Sequence, residues 1–286
     1  MVKKRTGGSS GSSVGRALGQ AVDQLAVITD VPRLEAEVLL SSVLNVSRTT
    51  LMAHPEQPLH PEQLADYHDL VERRASGYPL PYLTDRIEFY GLKFEITPEV
   101  LIPRPETELL VDLALARRPA AVIDVGTGSG CIAISLAVHL PETAICAIDI
   151  SPAALAVAQR NVERHGVADR VRLMVGDVLN PRPGSVDLIV SNPPYIPTGD
   201  CASLPPSVRN HEPRIALDGG PDGLTVIDHL LSQALAVLQP GGSVLVEIGA
   251  DQGEAAARLA RTHFPAAEIR VHPDLTRRDR VLEVKT

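Results

Sequence analysis

The chain contains no tryptophan, and aromatic residues make up only 3% of its 286 residues. Its core must therefore be built from Leu, Val, Ile and Ala. No apolar run reaches the roughly 18 residues that a membrane-spanning helix requires. The first residues, Met1–Ser13, are basic and then Gly/Ser-rich, without the apolar centre of a signal peptide. We therefore expect a cytoplasmic protein without membrane association, whose residues 1–13 form a disordered tail.

Cysteine is also scarce, and its three residues, Cys131, Cys146 and Cys201, are widely spaced. Neither C-x-x-C nor H-E-x-x-H occurs, so a disulfide framework, a zinc knuckle and a bound metal are not indicated. The net charge of −8 is unlike the basic face of a nucleic-acid platform. We expect no direct nucleic-acid partner and a monomeric protein.

The chain changes character twice along its length. Residues 14–80 have helical spacing, with prolines at two predicted helix starts, Pro32 and Pro61. Residues 81–103 read as a linker that holds a β-hairpin around Gly91. From residue 104 to 286 strands and helices alternate, which predicts an α/β domain with a doubly wound, mostly parallel sheet and one antiparallel edge strand. The seven predicted strands are 121–125, 144–149, 171–176, 187–191, 243–249, 267–272 and 280–284.

A glycine turn follows the first of these strands. The turn consists of Gly126, Thr127, Gly128, Ser129 and Gly130. An apolar helix follows, and a carboxylate, Asp149, ends the next strand 19 residues after Gly130, near the roughly 20-residue spacing at which an acid receives ribose hydroxyls. The glycines do not form the G-x-G-x-x-G of a pyrophosphate site, and no Walker lysine follows. The pattern favours a nucleoside pocket over a tight turn without a ligand.

The most informative stretch is Asn192-Pro193-Pro194-Tyr195, which follows a buried strand. Proline lacks an N–H group and fixes φ, so the chain must leave the sheet here as a stiff turn. At the carboxyl end of a strand, the Asn192 side-chain oxygen and the Pro193 carbonyl can each accept one N–H of a planar amide or amine. The Tyr195 ring can pack against the flat face of that amide or amine. The alternative is a Pro-rich loop with a surface tyrosine.

Three further features lie near this predicted cleft. Asp177 closes the third strand and is expected at the same sheet edge, although a turn or capping role is the alternative. Arg104 and Glu106 alternate with prolines and either face the site or form a surface pair. The loop over residues 196–223, 28 residues long, is expected to form a wall or lid.

The site lacks a Ser-His-Asp set, an activated cysteine and paired carboxylates. Methyl transfer from S-adenosylmethionine needs little beyond alignment of a nucleophile behind a methyl group that is already activated. That reaction fits a nucleoside pocket next to a holder for a planar nitrogen.

Together these residues carry a family resemblance. Asp124–Gly130, Asp149, Gly176-Asp177 and Asn192–Tyr195 resemble class I S-adenosylmethionine-dependent methyltransferases that modify planar nitrogens. The segments Ile102–Glu108 and Glu212–Gly220 and the preceding helical domain narrow the resemblance. With them the chain resembles the bacterial peptide chain release factor glutamine methyltransferases, the PrmC/HemK family.

The resemblance implies methylation of the side-chain amide nitrogen, N5, of the glutamine in the Gly-Gly-Gln motif of class 1 release factors. It implies a class I methyltransferase sheet, an N-terminal substrate-recognition domain and S-adenosylmethionine as cofactor. Gly126–Gly130 and Asp149 would bind the methionine portion and the ribose, with Asn192 also next to the cofactor. Asp177 and Val178 would border the adenine, although relatives can carry an aromatic residue at the position of Val178. Asn192, Pro193, Pro194 and Tyr195 would hold the glutamine, with Arg104 and Glu106 on the substrate side.

Four other functions compete. A glutamine methyltransferase of a large-subunit ribosomal protein shares the Asn-Pro-Pro-Tyr turn, but its upstream segment resembles Pro-Arg-Ser-Pro. An N6-adenine DNA or RNA methyltransferase would need a phosphate-binding surface. A non-catalytic cofactor-binding partner of translation would not need Asn192. An NAD-dependent oxidoreductase has no use for that turn.

Overall fold

The computed structural model describes residues 12–181 and 184–286, and the chain divides into two compact units, Met1–Thr84 and Asp85–Thr286. The predicted tail lies outside the described residues except for Ser12 and Ser13, and Ser13 pairs with Pro58 in an isolated β-bridge. Within the described part of the chain, no helix combines the length and apolar character needed to cross a bilayer.

The first unit is helical, as predicted. Its helices are α1 Val14–Leu25, α2 Pro32–Leu44, α3 Arg48–Ala53, α4 Pro61–Ala75 and α5 Leu80–Thr84. Pro32 and Pro61 occupy first helical positions, where the missing N–H is not needed. The Tyr67 ring is fully buried, and its hydroxyl donates to the Ala36 carbonyl at 3.1 Å. This bond satisfies the polar end of the largest side chain in the core.

The predicted hairpin is present as β1, Arg86–Phe89, and β2, Leu92–Glu95. Tyr90 and Gly91 turn it with φ of 52° and 70°. The Tyr90 N–H donates to the Glu108 carboxylate at 2.8 Å, and the Glu95 N–H donates to the Asn161 side chain at 2.7 Å. The hairpin is therefore part of the second unit and is fastened to its helices α6, Glu108–Arg117, and α8, Pro152–Arg164.

The second unit is built on a seven-stranded sheet. Its strands are β3 Ala121–Val125, β4 Ala144–Asp149, β5 Val171–Val175, β6 Val186–Ser191, β7 Leu238–Glu247, β8 Glu268–Pro273 and β9 Asp279–Lys285. Its α-helices are α6 Glu108–Arg117, α7 Cys131–His139, α8 Pro152–Arg164, α9 Pro206–Arg209, α10 Thr225–Ala234 and α11 Gly253–His263. The strand order is β5-β4-β3-β6-β7-β9-β8, so the predicted seven-stranded α/β sheet is confirmed.

Two details of the prediction are wrong. The antiparallel strand was expected at the sheet edge, but β9 lies between β7 and β8, because the last strand folds back between its two predecessors. The helix predicted over 223–238 ends at Ala234, and β7 begins at Leu238. Leu238 pairs with Val186 of β6, and this tertiary pairing overrides the apolar helical spacing.

The two faces of the sheet carry different residues because side chains alternate along a strand. Ile123 and Val125 of β3 join a core cluster with residues of α10 and α11, such as Leu230 and Ala256. Asp124 points to the opposite face, where the Ala133 N–H in the first turn of α7 donates to it at 3.2 Å. Helices thus cover both faces, and the carboxyl ends of the parallel strands β5, β4, β3, β6 and β7 share one edge.

Candidate active site

The glycine turn joins β3 to α7 and requires its glycines. Gly126, Gly128 and Gly130 have φ of 72°, 55° and 82°, a left-handed region that residues with a Cβ rarely adopt. The N–H groups of Gly126 and Thr127 both donate to the Ile148 carbonyl, at 2.8 Å and 2.9 Å. The turn is thereby fixed to the end of β4, and at Gly126 and Gly128 it presents backbone without side chains to a ligand.

Asp149 stands at the end of β4 with both carboxylate oxygens fixed by backbone. Its Oδ2 accepts the Gly128 N–H at 2.8 Å, and its Oδ1 accepts the Ser151 N–H at 2.9 Å. Burial raises the pKa of Asp149, and these hydrogen bonds oppose the rise. A carboxylate oxygen can accept a second hydrogen bond, so this group can receive a pair of hydroxyls.

Asp124 lies on β3 directly before the turn, fully buried. Its Oδ2 accepts the Thr127 hydroxyl at 2.7 Å, whereas Oδ1 has no hydrogen-bond partner among residues 12–181 and 184–286. Burial raises the pKa of Asp124 to about 7, against the hydrogen bonds from Thr127 and Ala133. A buried acid with an unsatisfied oxygen is a group that a polar or cationic ligand would complete.

The Asn-Pro-Pro-Tyr turn leaves the sheet next to the glycine turn. The Ser191 hydroxyl donates to the Val125 carbonyl at 2.8 Å and ties the end of β6 to β3. The Asn192 Nδ2 then donates to the Thr107 Oγ1 at 3.1 Å. The Tyr195 hydroxyl donates to the Glu247 Oε1 at 3.3 Å. Burial, followed by the Glu247 charge, raises the pKa of Tyr195, so the phenol stays a neutral donor.

The loop after this turn packs directly under it. A Cβ on Gly219 would stand 2.7 Å from the Pro194 carbonyl oxygen, and one on Gly223 would stand 2.2 Å from the Tyr195 carbonyl oxygen. Gln252 Nε2 donates to that same Tyr195 oxygen at 2.9 Å. Close backbone approach therefore requires glycine at both positions and holds the turn rigid.

A single cleft brings these parts together, and its empty space is about 1140 Å³, including solvent at its mouth. Ten of the predicted site residues line it. They are Gly126, Thr127, Gly128, Ser129, Asp149, Asp177, Val178, Asn192, Pro193 and Pro194. Val178 adopts a φ of 56°, which is unfavourable for a β-branched side chain. The long loop contains α9 and two 3-10 turns, Asp200–Ser203 and Arg214–Ala216, and contributes Pro213, Ile215 and Ala216 as one wall.

Four predicted site residues are not among the residues that line this cleft within the described ranges. Gly130 caps α7 beneath the turn. The Tyr195 hydroxyl is directed to Glu247. Arg104 pairs with Glu212 at 2.5 Å. Glu106 lies in the 3-10 turn Pro105–Thr107 and is exposed.

Sequence reasoning missed four residues that support the site: Thr107, Glu212, Glu247 and Gln252. Thr107 lies inside the Pro-Arg-Pro-Glu-Thr-Glu segment, of which only the charged residues Arg104 and Glu106 were predicted to face the site. Glu247 carried a stronger signal, since a carboxylate inside the apolar run Val244–Ile248 needs a reason to be buried. Glu212 opens the Glu212–Gly220 segment that narrowed the resemblance, but neither Glu212 nor Gln252 carried a local signal for its contacts, because their partners are distant in sequence.

The sequence matches known proteins over both units. Residues 16–84 match the PrmC N-terminal domain, and residues 105–202 match the methyltransferase small domain. The release factor glutamine methyltransferase of Moorella thermoacetica is 48% identical over 271 residues, covering 93% of this chain and 95% of that protein. The protein of the same name from Geobacter sulfurreducens is 49% identical over 236 residues, covering 81% and 82%.

Solved structures agree on the fold. A methyltransferase from Pyrococcus furiosus superimposes with a TM-score of 0.54 at 20% identity, covering 69% of this chain and 90% of that one. A 16S rRNA methyltransferase of T. thermophilus, in complex with AdoMet and guanosine, gives a TM-score of 0.51 at 19% identity, covering 70% and 49%. At these identities the likeness concerns the fold alone.

Proposed function

The chain belongs to the family of release factor glutamine methyltransferases, and we propose that its Asn192–Tyr195 turn holds the acceptor glutamine of a class 1 release factor. The enzyme is an S-adenosylmethionine-dependent protein-glutamine methyltransferase. The acceptor atom we assign is the side-chain amide nitrogen, N5, of the glutamine in the Gly-Gly-Gln motif. The observation that carries this assignment is the Asn192 side chain, held by Thr107 at 3.1 Å on the cleft wall beside the glycine turn.

The residues around the glycine turn fit S-adenosylmethionine. At Gly126 and Gly128 the turn offers backbone without Cβ atoms, and Asp149 has capacity for ribose hydroxyls. The Asp124 Oδ1, which has no hydrogen-bond partner among the described residues, is suited to a polar or cationic group. We assign Gly126–Ser129 to the methionine portion, Asp149 to the ribose, and Asp177 with Val178 to the adenine border, and we leave out Gly130, which does not line the cleft among the described residues. When bound, the cofactor supplies a methyl group already activated on a sulfonium.

The Asn192 turn is suited to the acceptor. An amide nitrogen is a poor nucleophile because its lone pair is delocalised. The Asn192 Oδ1 and the Pro193 carbonyl each accept one N–H of the glutamine amide, which fixes the nitrogen and stabilises positive charge that develops on it. With S-adenosylmethionine bound, the cofactor would supply the methyl group to the nitrogen that Asn192 and Pro193 hold, and these two acceptors would keep the cationic amide in place until it loses a proton to solvent. No strong base is required, because the cationic amide is acidic.

The assignment extends to partners. We infer that the release factor protein alone is the acceptor, without nucleic acid, because the net charge of −8 does not suit a phosphate-binding surface. We assign recognition of the release factor to the helical domain, residues 14–80, and catalysis to residues 104–286, and we expect the enzyme to act as a monomer.

Incubation with a labelled methyl donor tests the proposal. Three acceptors are compared: a class 1 release factor, a large-subunit ribosomal protein and DNA. Mass spectrometry should locate one methyl group on the glutamine of the Gly-Gly-Gln motif, and a release factor with that glutamine changed to alanine is the matched control. Label on the ribosomal protein, on an adenine, or on the control release factor would overturn the assignment.

A further inference from the structure

We propose that Thr107 and Glu247 are positioning residues that orient the Asn192 side chain, so that its oxygen stays available to the acceptor. The proposal deepens the function assigned to the Asn192–Tyr195 turn and rests on it. Neither residue needs to touch the substrate or the cofactor for this role.

The fold puts Glu247 behind the turn. Ser191 of β6 pairs with Val246 of β7, so Glu247 lies at the level where Asn192 leaves the sheet. Val244 and Val246 pack into the core cluster on one face, and Glu247 therefore points to the opposite face. Its side chain is buried, with the residue 1% exposed. A buried carboxylate at the last position of a central strand costs desolvation, so its contacts must compensate.

Those contacts reach both ends of the turn. The Tyr195 hydroxyl donates to the Glu247 Oε1 at 3.3 Å. The Thr107 hydroxyl lies close enough to the same carboxylate to favour its charged form and so lower its pKa. Thr107 Oγ1 in turn accepts the Asn192 Nδ2 at 3.1 Å. Glu247 thus holds Tyr195 by a direct hydrogen bond, and its charge acts on the Thr107 hydroxyl that holds Asn192.

The charge on Glu247 determines which atoms of Thr107 and Asn192 donate hydrogen bonds and which accept them. An ionised Glu247 attracts the single proton of the neighbouring Thr107 hydroxyl, which leaves a Thr107 lone pair to face Asn192. Asn192 must then present its NH2 group to Thr107 and its Oδ1 elsewhere. A protonated Glu247 can donate to Thr107 instead, and the preference for one orientation of the Asn192 amide is lost.

The surroundings place the ionisation of Glu247 within an accessible pH range. Burial raises the pKa of Glu247 to about 7, and the charge of Glu106 raises it further. Thr107, Tyr195 and Arg280 of β9 act in the opposite direction and lower this pKa. The buried Cys131 thiol of α7 also senses the Glu247 charge. The Glu247 Oε2 has no hydrogen-bond partner in the described part of the chain, so only the other carboxylate oxygen, Oε1, is held by a hydrogen bond.

The first test needs no acceptor. In the full-length 15N-labelled enzyme, the Asn192 side-chain NH2 signals should shift with pH. The apparent pKa of this shift should be about 7, the value to which burial raises the pKa of Glu247. The pH-dependent shift should be absent in Glu247→Gln, which keeps the size of the side chain. Titration that is unchanged in Glu247→Gln, or the absence of any titration in the wild-type enzyme, would overturn the proposal.

The second test uses a matched pair at position 107. Thr107→Val keeps the shape and removes the hydroxyl, and we expect kcat to fall at least tenfold with the Kd for S-adenosylmethionine changed less than twofold. Thr107→Ser keeps the hydroxyl and should retain kcat within threefold. Equal kcat values for the two variants would refute the positioning role.

The third measurement links the two tests. In the wild-type enzyme kcat should fall as pH drops below the Glu247 pKa, and Glu247→Gln should remove this acidic limb while lowering kcat. An acidic limb that persists in Glu247→Gln would contradict the proposal. The variants are compared on whichever acceptor the wild-type enzyme labels, so a failed release factor assignment leaves the positioning test standing.

Discussion

Arg104 and Glu212 form an ion pair at 2.5 Å between segments 108 residues apart in the chain. Glu212 is 6% exposed, and its Oε2 also accepts the Ile102 N–H at 3.2 Å. One carboxylate thus fastens the long loop over residues 196–223 to the segment that precedes α6. The two motifs that narrowed the family resemblance, Ile102–Glu108 and Glu212–Gly220, are joined by this contact.

We expect Glu212→Ala to lower the free energy of unfolding by about 2 kcal/mol, because Arg104 and the Ile102 N–H lose a buried partner. The cost should fall below that of a fully buried pair, since the Arg104 side chain is 33% exposed. Denaturant titration measures it. Glu254→Ala, which breaks the exposed pair with Arg258, is the control and should cost less than about 0.5 kcal/mol. Equal losses for the two variants would contradict the structural role of Glu212.

Asn192→Ala should cut turnover at least tenfold, or about 1.4 kcal/mol of barrier, because the acceptor amide loses a hydrogen-bond partner made mainly in the transition state. The Kd for S-adenosylmethionine should stay within a few-fold of wild type. Steady-state kinetics and calorimetry measure the two quantities. Asn210→Ala, at an exposed position of the same domain, should leave both unchanged. Full turnover of Asn192→Ala would rule out the positioning mechanism.

Gly219→Ala should displace the Asn-Pro-Pro-Tyr turn, because the new Cβ would stand 2.7 Å from the Pro194 carbonyl oxygen and 2.8 Å from the Tyr195 Cα. Both contacts are to backbone, which cannot rotate away as a side chain can. We expect a tenfold or greater loss of turnover and a lower melting temperature. Gly199→Ala lies in the same loop with nothing within 4 Å of its Cβ and should change neither. A Gly219→Ala enzyme with full activity would show that the loop yields without moving the turn.

The stability of the free enzyme should depend on pH through Asp124. Burial raises the pKa of Asp124 to about 7 in the folded state, above the roughly 3.9 of an unfolded aspartate. The folded state therefore binds a proton that the unfolded state releases. The resulting stabilisation is fully present below pH 4 and is lost as pH rises through about 7, on the order of 2–4 kcal/mol.

Asp124→Asn removes this ionisation and keeps the acceptor oxygen for Thr127. Its free energy of unfolding should therefore fall less than that of the wild-type enzyme between pH 5 and pH 8, as measured by denaturant titration at each pH. Asp251→Asn, at an exposed carboxylate, should follow the wild-type curve. Parallel curves for Asp124→Asn and the wild-type enzyme would show that the buried acid does not govern this pH dependence.

Much of the fold could be predicted because the signals were local. β3 and β4 fall at the predicted residues, Ala121–Val125 and Ala144–Asp149, since short apolar runs bounded by glycine or acid read clearly as strands. The end of α10 could not be predicted, because the apolar residues keep a helical spacing up to Leu238. Only the pairing of Leu238 with Val186 of β6 makes this residue part of a strand. The position of β9 inside the sheet likewise depends on pairing between strands, which no local pattern encodes.

The sequence by itself determined the residues whose chemistry is local. The glycines must take positive φ, the prolines must end β6, and the acid after β4 must stand at the sheet edge. Tertiary structure decided which side chains support them. Thr107 meets Asn192 across 85 residues, and Glu247 meets Tyr195 across 52, because strand order and the alternation of side chains bring those atoms together. Contacts of that kind follow from the sheet's assembly, and residue type or spacing along the chain cannot specify them.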